Sequence, residues 1–196
     1  QRIGQGRDGG TKGEHAALFI DRRRFEVLTS GDFWLSETPD VVASVGWDAD
    51  LTRICTWASL REIATGRTLQ VWNAHFDHRG AKARRHSAEM IAQRVTSTPG
   101  PNLVLGDFNS GEHTPPLAAL FAAGLRDTFR DVHPEATAVG TFHAFKGGTS
   151  GDKIDYVLAG NGLATKAAAI LSAAGPNGHW PSDHHPVLAT VVFAPN

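Results

Sequence analysis

Apolar residues along this chain recur mostly in short alternating runs, the period-2 pattern of half-buried strands. His15–Asp21 (HAALFID) and Phe25–Leu35 are two such runs, and the basic turn Arg22–Arg24 between them predicts a hairpin. A loop rich in Pro, Asp and Gly (Ser36–Asp50) follows, then strands over Ile54–Ile63 and Leu69–Phe76 joined by a turn at Ala64-Thr65-Gly66. The period then changes to helical spacing over Ala81–Thr96, with Ala88, Ile91, Ala92 and Val95 on one face and Pro99-Gly100-Pro101 as the stop. Beyond it the pattern predicts a short buried strand over Asn102–Leu105, a helix over Pro115–Ala123, and strands near Gly140–Phe145, Lys153–Ala159, Ala164–Ser172 and Val187–Phe193. Strands outnumber helices, and the helices are inserted between them. That order predicts a layered α/β (α+β) domain in which two β-sheets pack together with helices outside.

A length of 196 residues suits one domain with a real core, here taken as 1–196. No apolar run approaches the roughly 18 residues a membrane helix needs, so no span is predicted. The single cysteine, Cys55, rules out an intramolecular disulfide framework and a multi-cysteine zinc site. A net charge of −1 gives no global positive field to advertise nucleic acid, and a monomer is expected. The chain opens on Gln1 and a Gly-rich polar stretch, without a charged-then-apolar leader. This start reads as an internal cut or a processed end, which leaves localisation open.

Ten histidines are many for this length, and several stand beside aspartates. Four segments gather such residues at the ends of predicted strands, where open α/β sheets tend to place ligands. They are Asn73-Ala74-His75-Phe76-Asp77-His78, Gly106-Asp107-Phe108-Asn109, Lys153-Ile154-Asp155-Tyr156 and Ser182-Asp183-His184-His185. Asp155 is the most informative, because a carboxylate within an apolar strand is costly unless it is paired or metal-bound. Each of the others has an ordinary reading as a turn or a surface histidine. Together they supply what phosphoester hydrolysis requires: oxygen ligands for a divalent cation, a base for water, and donors for phosphoryl oxygens. Asp107, Asn109 and Asp183 are hard ligands suited to Mg²⁺ or Mn²⁺. The basic residues Lys82, Arg84 and Arg85 lie just after the histidine segment and suit an anionic substrate.

In this order the segments NAHFDH (73–78), GDFN (106–109), KIDYV (153–157) and SDHHPV (182–187) resemble those of the endonuclease/exonuclease/phosphatase superfamily. The stretch Gly31–Trp57 is similar to a bacterial branch of it. The resemblance implies a deoxyribonuclease-like four-layer sandwich and a divalent-metal-dependent phosphoesterase, a nuclease or a related phosphodiesterase or phosphatase, with nucleic acid among the substrates. It implies that Asp107 and Asn109 position or activate water and touch the phosphate, and that Asp155 orients His184 as base or phosphate donor. It further implies that Asp183 sits at the metal and that His75 contacts the scissile phosphate. His78, Asn73 and Arg84 become candidate substrate contacts.

The family's opening strands, one carrying Asn and one carrying Glu in a Leu-Gln-Glu context, are not matched; the chain joins the pattern near Gly6-Arg7. Glu14, in a Gly-Glu-His context, is not expected to replace that Glu. Two alternatives follow. One is a domain of the same fold whose incomplete metal site leaves a binding module. The other is a zinc hydrolase of metallo-β-lactamase type, in which Asn73-x-His75-x-Asp77-His78 mimics an HxHxDH ligand set.

Overall fold

The protein is described by a computed structural model covering residues 1–195. Its strands are β1 (Arg2–Ile3), β2 (Leu18–Phe19), β3 (Phe25–Trp34), β4 (Ile54–Glu62), β5 (Thr68–His75), β6 (Asn102–Asp107), β7 (Arg126–Asp127), β8 (Asp155–Ala159), β9 (Leu163–Ile170) and β10 (Val187–Phe193). The helices are α1 (Ala81–Ser97), α2 (Pro115–Ala122) and α3 (Thr128–Val132). Six strands form one mixed sheet in the order β3-β4-β5-β6-β8-β7. Within it β5 and β6 run parallel, with α1 as their crossover, and the remaining pairs are antiparallel. β9 pairs with β10, and β1 with β2, as two small antiparallel sheets.

Period-2 alternation divides the six-stranded sheet into two faces. Trp72, Ala74 and Phe76, with Val104, Phe108, Tyr156 and Leu158, form a core with Ala88, Ile91 and Val95 of α1 and Leu117 and Leu120 of α2. Complete burial of each large apolar side chain contributes about 1.5–3 kcal/mol. The opposite face packs Ala58, Leu60 and Val71 against Ile3 of β1 and Leu18 of β2. Phe129 of α3 packs against Ala168 of β9. The layers are therefore helices, main sheet, a second β layer in two pieces, and α3.

Helix α1 begins at Gly80, whose missing side chain is replaced by a residue far away in sequence. The Asp48 carboxylate accepts bonds from Lys82 N (3.2 Å) and Ala83 N (2.7 Å). A Cβ on residue 80 would lie 2.6 Å from the Asp48 carbonyl, so the close approach requires glycine.

Two expected elements are corrected. β2 pairs with β1, not with β3, and the predicted 15–21 strand shrinks to Leu18–Phe19. The turn at Asp21 does form, since Arg24 N and Phe25 N bond to its carbonyl. However, β3 finds a longer antiparallel partner in β4. The predicted strand at 140–145 is absent apart from one bridge, Phe142 to His184. Ala144 (φ 49°) and Phe145 (φ 62°) adopt a left-handed backbone that no strand accommodates. α3 and β7, five and two residues long, fall below what periodicity detects.

Lys153 is buried completely beneath this architecture. Its Nζ lies 2.6 Å from Asp127 Oδ2 and 3.4 Å from the centre of the Tyr156 ring. Asp127 also caps α3 by accepting from Phe129 N at 3.0 Å. Removing the ammonium leaves a buried carboxylate without its ion partner, so Lys153→Met is expected to cost about 3–5 kcal/mol in urea denaturation. The double variant Lys153→Met/Asp127→Asn should recover much of that loss. If the single variant is as stable as the wild type, the pair is not a structural element.

Candidate active site

The site grows out of strand register. His75 on β5 is the cross-strand partner of Asp107 on β6, and Asp107 is the partner of Asp155 on β8. Neighbouring strands lie about 4.8 Å apart, so the register alone sets three ionisable side chains in a row on one face. The next residue of each strand, Phe76, Phe108 and Tyr156, faces the helical core. There Phe76 stacks on Phe108 at 4.8 Å between centroids, and Phe108 on Tyr156 at 5.4 Å. The single proton of the Tyr156 hydroxyl is shared between the carbonyls of Lys153 (2.6 Å) and Ser110 (2.9 Å), tying the loops before Asp155 and after Asp107 to this stack.

His184 arrives from the loop before β10. Its amide bonds to Ser182 Oγ, while the carbonyl of Asp183 accepts from the amides of His143 and Ala144. His184 Nδ1 lies 2.8 Å from Asp155 Oδ2, and Nε2 lies 3.9 Å from Asp107 Oδ2. Each of Asp107, Asp155 and His184 offers one ligand atom, all within 4.8 Å of one another. Asn109 takes a left-handed backbone (φ 46°) that turns it back over Asp107. Its amide bonds to Asp107 Oδ1 at 2.8 Å, and its side chain donates to the Phe76 carbonyl at 3.0 Å.

The electrostatics follow from these neighbours. Burial, then the like charge of Asp155, pushes the Asp107 carboxyl up to about 6. The hydrogen bond to Asp155 raises His184 above the usual histidine range, against partial burial. Burial and the guanidinium charges of Arg53 and Arg7 push His75 down to about 3, so it is neutral at pH 7. Its Nε2 lies 3.3 Å from Asp107 Oδ2.

The remaining predicted residues occupy other positions. Asp183 neighbours His184, but its carboxylate is not one of the three clustered ligands. Asn73 shares the His75 face of β5, yet its side-chain amide donates to the Ala17 carbonyl at 3.0 Å. His78 Nδ1 is 3.0 Å from Arg53 Nη2, beside the site rather than in the cluster. Arg84 donates to the Asp77 carbonyl and so braces the end of the histidine segment. Asp77 is buried against Arg53 Nε at 3.3 Å. With Asn73 and Asp77 committed in this way, the HxHxDH-like set does not converge on one ion. The zinc-hydrolase alternative fails on that geometry.

Asp77 also carries a testable pH dependence. Burial alone would push its carboxyl up, but bonds from the amides of Gly80, Arg79, Asp50 and Leu51 outweigh it and hold the group far below the ordinary range. A carboxyl lowered in the folded state stabilises fully above its unfolded value of about 3.9, and loses that contribution as pH falls through the folded value. Asp77→Asn should therefore cost about 2 kcal/mol at pH 7. The gap from wild type should narrow as the pH is lowered from 4 towards 2, and urea denaturation at several pH values measures it. A constant gap would show that the charge is irrelevant.

Arg53 and Arg7 were not singled out as site residues by sequence reasoning. The available signal was an arginine directly before an apolar strand, in Thr52-Arg53-Ile54-Cys55, and such an arginine ordinarily points to solvent. Only the fold shows that Arg53 is buried beside His75.

The pattern of the Endonuclease/Exonuclease/phosphatase family matches residues 9–184, and the chain belongs to that family. No curated protein matches the sequence. Among solved structures, an endonuclease/exonuclease/phosphatase family protein from Bacteroides thetaiotaomicron is 34% identical, with 99% of this chain and 73% of that one aligned at a TM-score of 0.88. A mannosyl-6-phosphatase from the same organism is also 34% identical, covering 98% and 77% at 0.87. D. rerio TDP2, solved with a single-stranded DNA product, shares the fold at 0.77 with 14% identity, over 98% of this chain and 76% of that one. Among the described residues, no helix is long and apolar enough to cross a membrane.

Proposed function

We propose that this chain hydrolyses phosphoester bonds with the help of a divalent cation, Mg²⁺ or Mn²⁺, at the Asp107–Asp155–His184 cluster. The observation carrying this reading is the contact chain Asp155–His184–Asp107. It presents one imidazole nitrogen, held by a carboxylate on its far side, to a second carboxylate. The cluster fits a cation, because two neighbouring carboxylates and an imidazole each offer one ligand atom within 4.8 Å of one another, and a bound cation would offset the burial and like charge that raise Asp107. Asp107 and Asp155 are its natural oxygen donors, with Asn109 and Asp183 the nearest additional ones in sequence. When bound, the ion lowers the pKa of water and neutralises charge on phosphoryl oxygens.

The chain's own residues supply the rest. With Nδ1 bonded to Asp155, the neutral ring of His184 carries its proton there, and Nε2 is free to accept a proton from water or return one to a leaving oxygen. Neutral His75 serves as a contact to the phosphoryl group. Asn109 fixes Asp107 through its amide and keeps the carboxylate aimed at the site. The likeness to a mannosyl-6-phosphatase at 34% identity supports a phosphomonoester at least as strongly as a nucleic acid.

The test is an assay of chelator-treated protein on p-nitrophenyl phosphate and bis(p-nitrophenyl) phosphate, with and without added Mg²⁺ or Mn²⁺. Metal-dependent release is expected, and the preferred compound separates monoesterase from diesterase. Binding of phosphoesters without metal-dependent hydrolysis of any would favour the binding-module alternative.

A further inference from the structure

The rings of two buried histidines take no part in the site described above. His143 is 7% and His185 2% exposed, and their rings stack at 4.1 Å between centroids with 28° between planes. Their placement follows from the pairing of two short segments. Phe142 and His184 form an antiparallel bridge, flanked by bonds from His143 N to the Asp183 carbonyl and from His185 N to the Thr141 carbonyl. Extended neighbours alternate between faces, so Phe142 and His184 share one face and His143 and His185 the other. Phe142 accordingly packs edge-on against His184 at 5.1 Å. The stack sits on the reverse of the backbone that carries the site imidazole, closed off from substrate by its burial.

Each stacked ring holds one group of the same glycine turn. His143 Nδ1 accepts from the Gly147 amide at 3.2 Å, and His185 Nε2 donates to the Gly148 carbonyl at 2.7 Å. Trp180 covers this turn: its ring lies 4.6 Å from His143 and 5.2 Å from His185, and a Cβ on Gly147 would come within 2.5 Å of its Cζ2. The other two nitrogens, His143 Nε2 and His185 Nδ1, are buried without a hydrogen-bond partner among the described residues. Two stacked phenyl rings would fill the same space without that penalty. What the imidazoles add is a grip on both backbone groups of the turn. That turn closes a strap, residues 140–148, whose path is unfavourable by itself, since Ala144 and Phe145 hold left-handed backbone at φ 49° and 62°. The other end of the strap reaches Asp155. Thr141 Oγ1 accepts from the amides of Ile154 (3.0 Å) and Asp155 (3.2 Å), while its carbonyl holds His185 N. One strap thus holds the backbones of both partners in the 2.8 Å bond between His184 and Asp155.

We propose that His143 and His185 are positioning residues for His184, a role that presupposes the hydrolytic reading given above. Their stacked rings clamp the strap onto the loop 182–186, and the His184 ring is thereby held on the Asp155 carboxylate in one orientation. Neither ring touches the reacting atoms, and the clamp works through fixed hydrogen bonds and shape, with no proton gained or lost.

The first measurement requires no turnover. Nitrogen NMR of histidine-labelled, chelator-treated protein in mildly alkaline buffer reports which nitrogen of each ring carries its hydrogen, and the His184 signals are assigned by their loss in His184→Ala. In the wild type His184 should be held in the form with hydrogen on Nδ1, facing Asp155. His185→Phe keeps the stack and its volume but cannot donate to Gly148, and His143→Phe cannot accept from Gly147. Each should turn His184 into a mixture of the two ring forms with circular dichroism unchanged. Gly147→Ala, which sets a methyl against Trp180 and leaves both imidazoles intact, should do the same. His185→Gln, whose amide can still donate to the Gly148 carbonyl, should recover part of the single form. A single form retained in folded His185→Phe and His143→Phe shows that the rings only fill space, and the positioning role is wrong. If a phenylalanine variant does not fold, Gly147→Ala decides on the same criterion. In the second arm, kcat should fall about tenfold in the phenylalanine variants with KM within about twofold, the scale for a group that orients a reacting one. An unchanged kcat overturns the role. If the wild type hydrolyses no phosphoester, the hydrolytic reading fails, while the NMR measurement still decides whether the clamp sets the ring.

Discussion

Replacement of His184 by alanine is expected to lower the proposed phosphoester turnover by roughly two to four orders of magnitude at saturating metal, the usual consequence of losing a positioned general acid or base. The effect is expected mainly in kcat, because the ring bonds to Asp155 at 2.8 Å and reaches the reacting region only through Nε2. The fold should survive, since the side chain is partly exposed and its backbone is held independently by Ser182 and the Phe142 bridge. Asp155→Asn should also lower kcat, because an amide holds the ring less firmly and does not favour its charged form, and it should weaken metal binding as well, since Asp155 is the cluster's other carboxylate. A fall of less than tenfold in His184→Ala, with circular dichroism unchanged, would remove His184 from the chemistry.

Asp107→Ala is expected to be at least as damaging to turnover and, unlike His184→Ala, to weaken the metal tenfold or more. It removes one of two carboxylates in the cluster and the acceptor that fixes Asn109. Activity measured against Mg²⁺ concentration, together with direct Mn²⁺ binding, distinguishes the two variants. Asp107→Asn carries a further signature. A carboxyl raised to about 6 in the folded protein takes up protons that the unfolded chain releases, so without metal this group lowers stability as pH rises from 4 to 7. The amide removes that penalty. Asp107→Asn should therefore stabilise the metal-free protein at pH 7 by up to about 2 kcal/mol while abolishing turnover. Loss of stability on that substitution would show that the Asp107 charge is not frustrated in the metal-free fold.

The long elements and the chemistry-bearing segments were legible because each writes a regular signal. α1 ends within one residue of its predicted limit, since the apolar face and Pro99 mark it. GDFN closes one strand and KIDY opens another, and the apolar runs of both are plain in the sequence. What stayed hidden depends on partners distant along the chain. β2 looks like the first arm of a hairpin until Arg2–Ile3 claims its hydrogen bonds. The residues 140–145 alternate like a strand, and nothing local announces the positive φ of Ala144 and Phe145. Arg53 reads as a surface charge because no sequence pattern shows that Asp77, twenty-four positions later, meets its guanidinium in the interior. Lys153 is misleading in the same way, as its counter-charge sits on Asp127.

The cross-strand row has a consequence for how this chain avoids folding errors. In His75-Phe76, Asp107-Phe108 and Asp155-Tyr156, a polar residue for one face precedes an aromatic for the other. Sliding β6 by a single position would drive Asp107 beneath the helices and push Phe108 out among charged groups. Both halves of that exchange are unfavourable, so the mispaired sheet is disfavoured twice at the same location. The residues that would perform chemistry thus also serve as a proofreading mark for assembly. Trapped conformers with β6 out of step should be scarce during refolding, and variants that blur the polar–aromatic boundary, such as Phe108→Ser, should populate them.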